Sequence, residues 1–431
     1  MISPGARISA PPRPAPLHWF SIWQLALSLI AILGLWGLAL PSALLGLSTL
    51  LSGSALDAVP SFMSAAGLGL AGLLLVPSAG LAFLRILGRP YSWRYRFSIP
   101  LWILLPIIPI VFLLGHLVSD QALLAWWLLP LFHGLAIVLP TLWLVGMGVR
   151  GLHLGSPQRI WGALAGGLVL APLLSLVVEL ALGLFVVVGF TIYLAQDASM
   201  VNQLAELSDQ IAAANQDPEL ILGLLLPYLE RPAVIGVAFL YGALAVPLIE
   251  ELFKPVGVWL LARRNLTPGQ GFGLGLVSGA GYAIFENIAL ASGLGADWAA
   301  IMFARLGTSA IHVLTTGLLG WGLVLAWRQG RFDRLILAYL GAVALHAAWN
   351  GAVIAQALTE ILPADQVVPL PEPALALTVV ILLACSCVIL LLTLNNRFRR
   401  AIIPPAAPAQ EQPAMIREED TPIDGNHYLP D

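Results

Sequence analysis

Charge is what this sequence has least of. Of 431 residues only 10% are Asp, Glu, Lys or Arg, where a soluble domain carries roughly 25%. Hydrophobic residues make up 59% and the mean hydropathy is +0.90, so most of the chain has to face lipid rather than water. Lysine is nearly absent: Lys254 is the only one, and every other basic side chain apart from histidine is arginine. Cysteine is almost as scarce. Cys385 and Cys387 lie two residues apart in one apolar run, pointing in different directions on a helix, which excludes a bridge between them, a disulfide framework and a cysteine metal site. There is no clear small-residue cleavage site after the first apolar run, so that run reads as a spanning helix rather than a signal peptide. A phosphate-binding Gly-rich motif and a short-period repeat are also missing, and nothing in the composition suits a nucleic-acid partner.

What is present is a series of apolar runs long enough to span a bilayer, at about 20–45, 61–84, 99–118, 122–148, 161–194, 233–262, 269–293, 299–327, 335–357 and 373–395. The expected fold is therefore an all-α polytopic transmembrane bundle of about ten helices, the longer runs needing tilt or local breaks. Alternating segments of about ten residues, the mark of a barrel, are not seen. With the N-terminus in the cytoplasm, the inner loops hold Arg85, Arg89, Arg94, Arg96, Arg150, Arg159, Arg263, Arg264, Arg328, Arg331, Arg334, Arg397, Arg399 and Arg400. Arg231 is the one arginine outside, among acids such as Asp57, Asp120, Asp209, Asp217, Asp297 and Asp365. This is the positive-inside pattern, and it places both termini in the cytoplasm.

The organisation expected from these patterns has six parts. Residues 1–18 are a Pro-rich cytoplasmic lead and 19–195 hold about five helices. Residues 196–231 form an acidic extracytoplasmic loop, partly helical in pattern. Residues 232–357 hold most of the intramembrane polar groups, 358–396 the final helix, and 397–431 a disordered, Pro-rich and acidic cytoplasmic tail.

Charges inside spanning helices are costly and ask for a reason. Glu179, Glu250, Glu251, Lys254, Glu286, Arg305, His116, His133, His312, His346, Asn287 and Asn350 remain once loop charges are removed, and most fall between 250 and 350. In Pro-Leu-Ile-Glu-Glu-Leu-Phe-Lys-Pro (247–255), Glu250 and Glu251 stand four and three residues before Lys254, so all three share one side of a helix. Glu250 precedes Arg263 by 13 residues, about 20 Å of helix, which puts it well inside the bilayer. Two carboxylates with one ammonium suit a general base; a neutral Glu–Lys pair fixing helix packing is the alternative. Glu286 and Asn287 follow Gly269, Gly271, Gly273, Gly275, Gly279 and Gly281, which let helices approach closely. Tyr282, four residues before Glu286, is spaced to hydrogen-bond it. Arg305 and His312 share a face, and Asn350, four after His346, is spaced to orient that imidazole. His116, His133 and Glu179 stand alone and read as structural. His312 and His346 can polarise a carbonyl or, with a carboxylate, bind Zn²⁺; no His-Glu-x-x-His is present.

Together, Glu250-Glu251-x-x-Lys254, Phe285-Glu286-Asn287, Arg305 with His312, and Leu345-His346-x-x-x-Asn350 resemble the PrsW family of intramembrane proteases, related to the CAAX-processing and bacteriocin-processing (CPBP) membrane proteases. The resemblance covers about residues 235–355. It implies hydrolysis of a peptide bond in a membrane-anchored protein, in a bacterial plasma membrane. Glu250, Glu251, Lys254, Glu286, His312, His346 and Asn350 are the implied catalytic residues, with His312, His346 and Glu286 as metal ligands. The implied cofactor is zinc, with a metal-free glutamate mechanism as the alternative. Leu290 departs from the pattern, standing four residues after Glu286 where a tyrosine is expected. Buried Glu, Lys and His also suit a proton-coupled transporter, and a non-catalytic membrane scaffold is the third reading; the clustering of polar groups in one half of the chain and the intact Glu, His set argue against them.

Overall fold

The computed structural model describes residues 19–89, 100–194, 196, 198–214, 217–291, 298–362 and 373–402. The Pro-rich lead, the loop arginines Arg94 and Arg96, and residues 403–431 of the expected tail lie outside these. Among the described residues every regular element is helical. The chain runs through α1 (Trp19–Leu51), α2 (Val59–Ile86), α3 (Leu104–Ser119), α4 (Ala122–Gly148), α5 (Pro157–Ala165) and α6 (Ala171–Leu194). It continues through α7 (Ala198–Ala213), α8 (Pro218–Leu229), α9 (Pro232–Ala238), α10 (Val246–Phe253) and α11 (Val256–Trp259). It closes with α12 (Pro268–Ala291), α13 (Trp298–Gln329), α14 (Phe332–Ile361) and α15 (Pro373–Ile402). The acidic segment 196–231 contains two helices, α7 and α8; Asp217 caps the latter, its Oδ1 accepting from Glu219 N at 3.0 Å and Leu220 N at 3.3 Å. The last helix extends through Ile402, so residues 397–402 are helical rather than part of a tail.

Nine stretches among the described residues are long and apolar enough to cross a membrane. The tenth expected span, 269–293, is helix α12. Its glycines and Glu286-Asn287 dilute its apolar character, but its 24 residues reach about 36 Å, enough for a bilayer. Its lower hydropathy fits its position, because it is enclosed by protein. α13 beside it has 89% of its apolar stretch buried, against 17–39% for the other eight. These two helices form the axis of the bundle. One apolar core gathers around them from α4, α11, α14 and α15, and a second from α1 to α4 around Ile284, Ile288 and Trp298.

Glycine makes this axis possible. Gly271, Gly275 and Gly279 recur every four residues and so form one stripe of α12. A Cβ on each would strike backbone of α13: the Gly320 carbonyl, the Thr316 carbonyl and the His312 carbonyl respectively. Gly281 presses in the same way on Leu164 and Gly167 from the α5 side. Glu286 and His312 are brought together by this close approach.

Two expected long runs are broken by π turns. Gly166–Leu170 joins α5 to α6, and Phe239–Ala245 joins α9 to α10. Both end just before a proline, Pro172 and Pro247. In the second turn Val246 N reaches back five residues to Tyr241 O. The next amide in that register belongs to Pro247, which has none, so the Gly242 carbonyl lacks a backbone donor. Asn350 Nδ2 supplies it from α14 at 3.0 Å. Pro255 then separates α10 from α11: Val258 N donates to Pro255 O at 2.8 Å, and the Lys254 carbonyl accepts Ser278 Oγ of α12 at 2.7 Å. Tyr339 Oη donates to Leu248 O at 2.8 Å, tying α14 to α10 as Asn350 ties it to the π turn.

The arginine-bearing junctions meet at one end of the bundle. Arg85, Arg159 and Arg264 border one cavity, Arg328 contacts Asn265, and Arg399 lies against Gly151. Asn395 Nδ2 donates to Gly148 O and Arg150 O at 2.7 and 3.0 Å.

Candidate active site

The broken helix α10 points Glu250, Glu251 and Lys254 into the bundle. Glu251 and Lys254 have no exposed surface and Glu250 has little. Lys254 Nζ lies 2.9 Å from Glu250 Oε2 and donates to Glu251 Oε1 at 2.7 Å. It also sits 4.8 Å from the centre of the Tyr282 ring, a cation–π contact with α12.

His346 of α14 reaches the same group. Its Nδ1 is 3.0 Å from Glu251 Oε1 and 3.2 Å from Lys254 Nζ, while its Nε2 is 3.7 Å from Glu250 Oε2. The two contacts at Nδ1 belong to different tautomers. With the proton on Nδ1 the ring donates to Glu251, and the Nε2 lone pair faces Glu250; with the proton on Nε2, Nδ1 accepts from Lys254. Only the first leaves Nε2 able to bind a metal. In that state Glu251 stands where the orienting carboxylate behind a metal-binding histidine would.

His312 of α13 is fully buried, its ring 5.0 Å from that of His346 and perpendicular to it, and 5.4 Å from that of Tyr282. Its Nε2 lies against Glu286 Oε2. Glu286 Oε1 accepts from Arg305 Nη1 at 3.1 Å, and the Glu286 side chain keeps about 20% of its surface exposed. Asn287 is turned elsewhere, donating to Ser309 Oγ at 2.9 Å.

Two expectations are corrected here. Asn350 makes no hydrogen bond to His346: it holds the Gly242 carbonyl, and Glu251 meets the imidazole instead. Tyr282 makes no hydrogen bond to Glu286; its ring forms a wall between Lys254 and His312. The site also takes in groups that sequence spacing left aside. Ser278 fixes the Lys254 carbonyl, and Tyr339 fixes α10; a polar residue within a glycine stripe was the only available signal for the first. Glu179 of α6, read as isolated, has its Oε1 buried without a hydrogen-bond partner among the described residues, and its carbonyl accepts from Tyr241 Oη at 2.8 Å. His133 accepts from Trp298 Nε1 at 3.3 Å away from this cluster, and His116 is exposed.

The donor set fits a metal ion. One atom each from Glu250, His312 and His346 lies within 4.8 Å of the others. Glu286, the carboxylate expected with the histidines, contacts His312 but is not in that group. Glu250 Oε2 is met by Lys254 Nζ and Glu286 Oε2 by His312 Nε2, whereas His312 Nδ1 is buried with no hydrogen-bond partner among the described residues. Leaving a buried polar atom such as His312 Nδ1 unsatisfied costs about 1–3 kcal/mol, and it lies where three metal-capable side chains converge. Two imidazoles and a carboxylate are a catalytic zinc set.

No curated protein and no solved structure matches the chain. Residues 171–386 match the family model described as PrsW family intramembrane metalloprotease. The match is wider than the motifs alone, starting at the head of α6 and so taking in Glu179, and ending within α15. It covers half the chain and all four helices that build the cluster. With the buried glutamates and histidines it spans, it leads to one assignment: this chain belongs to the PrsW family of intramembrane metalloproteases.

Proposed function

We propose that the chain hydrolyses a peptide bond of a membrane-anchored protein, with Glu250, His312 and His346 holding one Zn²⁺. The carrying observation is the convergence of those three ligand atoms within 4.8 Å, inside a bundle, with His312 Nδ1 buried and without a hydrogen-bond partner among the described residues. When bound, the metal polarises the scissile carbonyl and acidifies a water. The protein supplies the rest. Glu251 takes the His346 Nδ1 proton in a hydrogen bond and aims Nε2 at Glu250. Lys254 offsets the negative charge of the glutamate pair. Glu286 is the carboxylate left to accept the proton of the attacking water and pass it to the leaving amine. It is partly exposed, oriented by Arg305 and close to His312, whereas Glu251 is closed in by Lys254 and His346. Asn350 acts on the site by holding the π turn before α10.

The Lys254–Glu250 contact of 2.9 Å favours a second, metal-free course, since it already pairs the proposed ligand. There Glu250 or Glu251 activates water and the histidines stabilise the oxyanion. The paired glutamates, the single base and two histidines on later helices also support the relation to the CPBP proteases. The arginine end of the bundle is taken as cytoplasmic, in a bacterial plasma membrane, with α7 and α8 outside and both termini inside.

The test compares metal content with membrane N-termini in cells producing wild type, Glu250→Gln or His312→Ala. Wild type should carry about one Zn²⁺ per chain and release new N-termini from membrane proteins; both variants should lose both. New N-termini from Glu250→Gln at the wild-type level would refute the assignment. Activity in a preparation free of metal would select the second course.

A further inference from the structure

At the arginine end of the bundle, α1, α2, α5 and the chain following α11 border an open cavity of about 490 Å³. Arg85 from the last turn of α2, Arg159 from the first turn of α5 and Arg264 beyond α11 all line it. Among the described residues no Asp or Glu lines it, and none of the three guanidiniums has an ion pair or side-chain hydrogen bond. Arg85 and Arg264 both exert their charge on Arg159, so the arrangement is repulsive as it stands. Three other arginines near that end are partnered: Arg328 by Asn265, and Arg331 and Arg334 by Asp333. A general excess of arginine at one membrane face explains solvated or paired side chains. It does not explain three that converge on one cavity without an acid.

The wall beneath them is fixed. Gln158 Nε2 donates to Ser21 Oγ at 2.9 Å and to Gln24 Oε1 at 3.1 Å, and Gln24 Nε2 donates to Ser78 Oγ at 3.0 Å. This network ties α1, α2 and α5 in one register, so the arginine positions are set before any ligand arrives. Trp19, 63% exposed, stands at the rim, where an amphipathic ring suits the membrane interface.

We propose that this cavity binds the phosphate headgroup of an anionic phospholipid, held by Arg85, Arg159 and Arg264. Guanidinium groups match phosphate oxygens in paired hydrogen bonds, and basic pockets between spanning helices are suited to such headgroups. The site is separate from the glutamate–histidine cluster and does not depend on its chemistry.

Full-length protein in a neutral detergent is titrated with dioctanoyl phosphatidylglycerol, dioctanoyl phosphatidylcholine and inorganic phosphate, with bound lipid read by native mass spectrometry. Phosphatidylglycerol should bind at least tenfold more tightly than the other two. Each arginine removed should weaken it about fivefold, so Arg159→Gln loses about fivefold and the Arg85→Gln, Arg264→Gln double variant about 25-fold. Arg85 and Arg264 are exposed, so that double variant should keep the wild-type unfolding temperature and separate lost binding from lost folding. An Arg328→Gln, Arg334→Gln double variant should bind within twofold of wild type. Three results overturn the proposal: equal binding of free phosphate, unchanged affinity in the Arg85, Arg264 double variant, or an equal loss in the Arg328, Arg334 control.

Discussion

Replacing Lys254 with methionine keeps an unbranched side chain of similar length and removes its ammonium. That ammonium is fully buried, 2.9 Å from one glutamate and 2.7 Å from the next. Its loss leaves Glu250 and Glu251 adjacent in the bundle without their counter-charge. Removing one partner of a buried ion pair costs about 3–5 kcal/mol, mainly through the charge left behind. Two orphaned carboxylates put Lys254→Met at the upper end, about 5 kcal/mol, a several-thousand-fold fall in the ratio of folded to unfolded protein. Adding Glu251→Gln removes one stranded charge, so the double variant should be more stable than the two single losses sum to, by about 1–3 kcal/mol. Equilibrium unfolding in mixed micelles of increasing denaturing-detergent fraction, with metal chelated throughout, measures all four corners of the cycle. A Lys254→Met protein within about 1 kcal/mol of wild type, or a cycle with no coupling, would refute the view that this lysine is the counter-charge of the glutamate pair.

Two further outcomes follow from the packing. Gly279→Leu should drive α12 off the His312 carbonyl, lowering both the yield of folded protein and activity, whereas Gly34→Leu, with nothing within 4 Å of its Cβ position, should be neutral in both; a well-folded, active Gly279→Leu would show that the two helices need not touch there. Asn350→Ala and Asn350→Leu both deprive the Gly242 carbonyl of its donor and should destabilise by about 1–3 kcal/mol, measured by the same unfolding titration; an Ala variant as stable as wild type would mean that the bond contributes nothing.

Much of this architecture could be read from residue spacing, and the limits have a physical pattern. Contacts within one helix were legible, because a three- or four-residue interval fixes which side chains meet: Glu250, Glu251 and Lys254 do share a side. The glycine series before Glu286 likewise announced a close helix pair. Contacts between helices were not legible. Glu251 meets His346 across 95 positions and Arg305 meets Glu286 across 19, and no local interval records either. The same rule produced both corrections. Asn350 and Tyr282 stand four residues from His346 and Glu286, but each found a better partner on a neighbouring element: an unsatisfied carbonyl for Asn350, an ammonium and an imidazole edge for Tyr282. Glu179 looked isolated because the contact its backbone makes is with Tyr241, 62 positions away.

The π turn before α10 has a consequence for heredity as well as geometry. A widened turn holds one more residue than the α-helix it replaces, and one residue is about 100° of rotation. Read as continuous α-helix, 232–259 would swing Glu250 and Glu251 about 100° around the axis, away from His346. The direction in which the two glutamates face is thus a matter of counting. A lineage can exchange most apolar side chains in this stretch and keep the site, yet the gain or loss of a single codon upstream of Pro247 would silence it while leaving composition, hydropathy and every site residue intact.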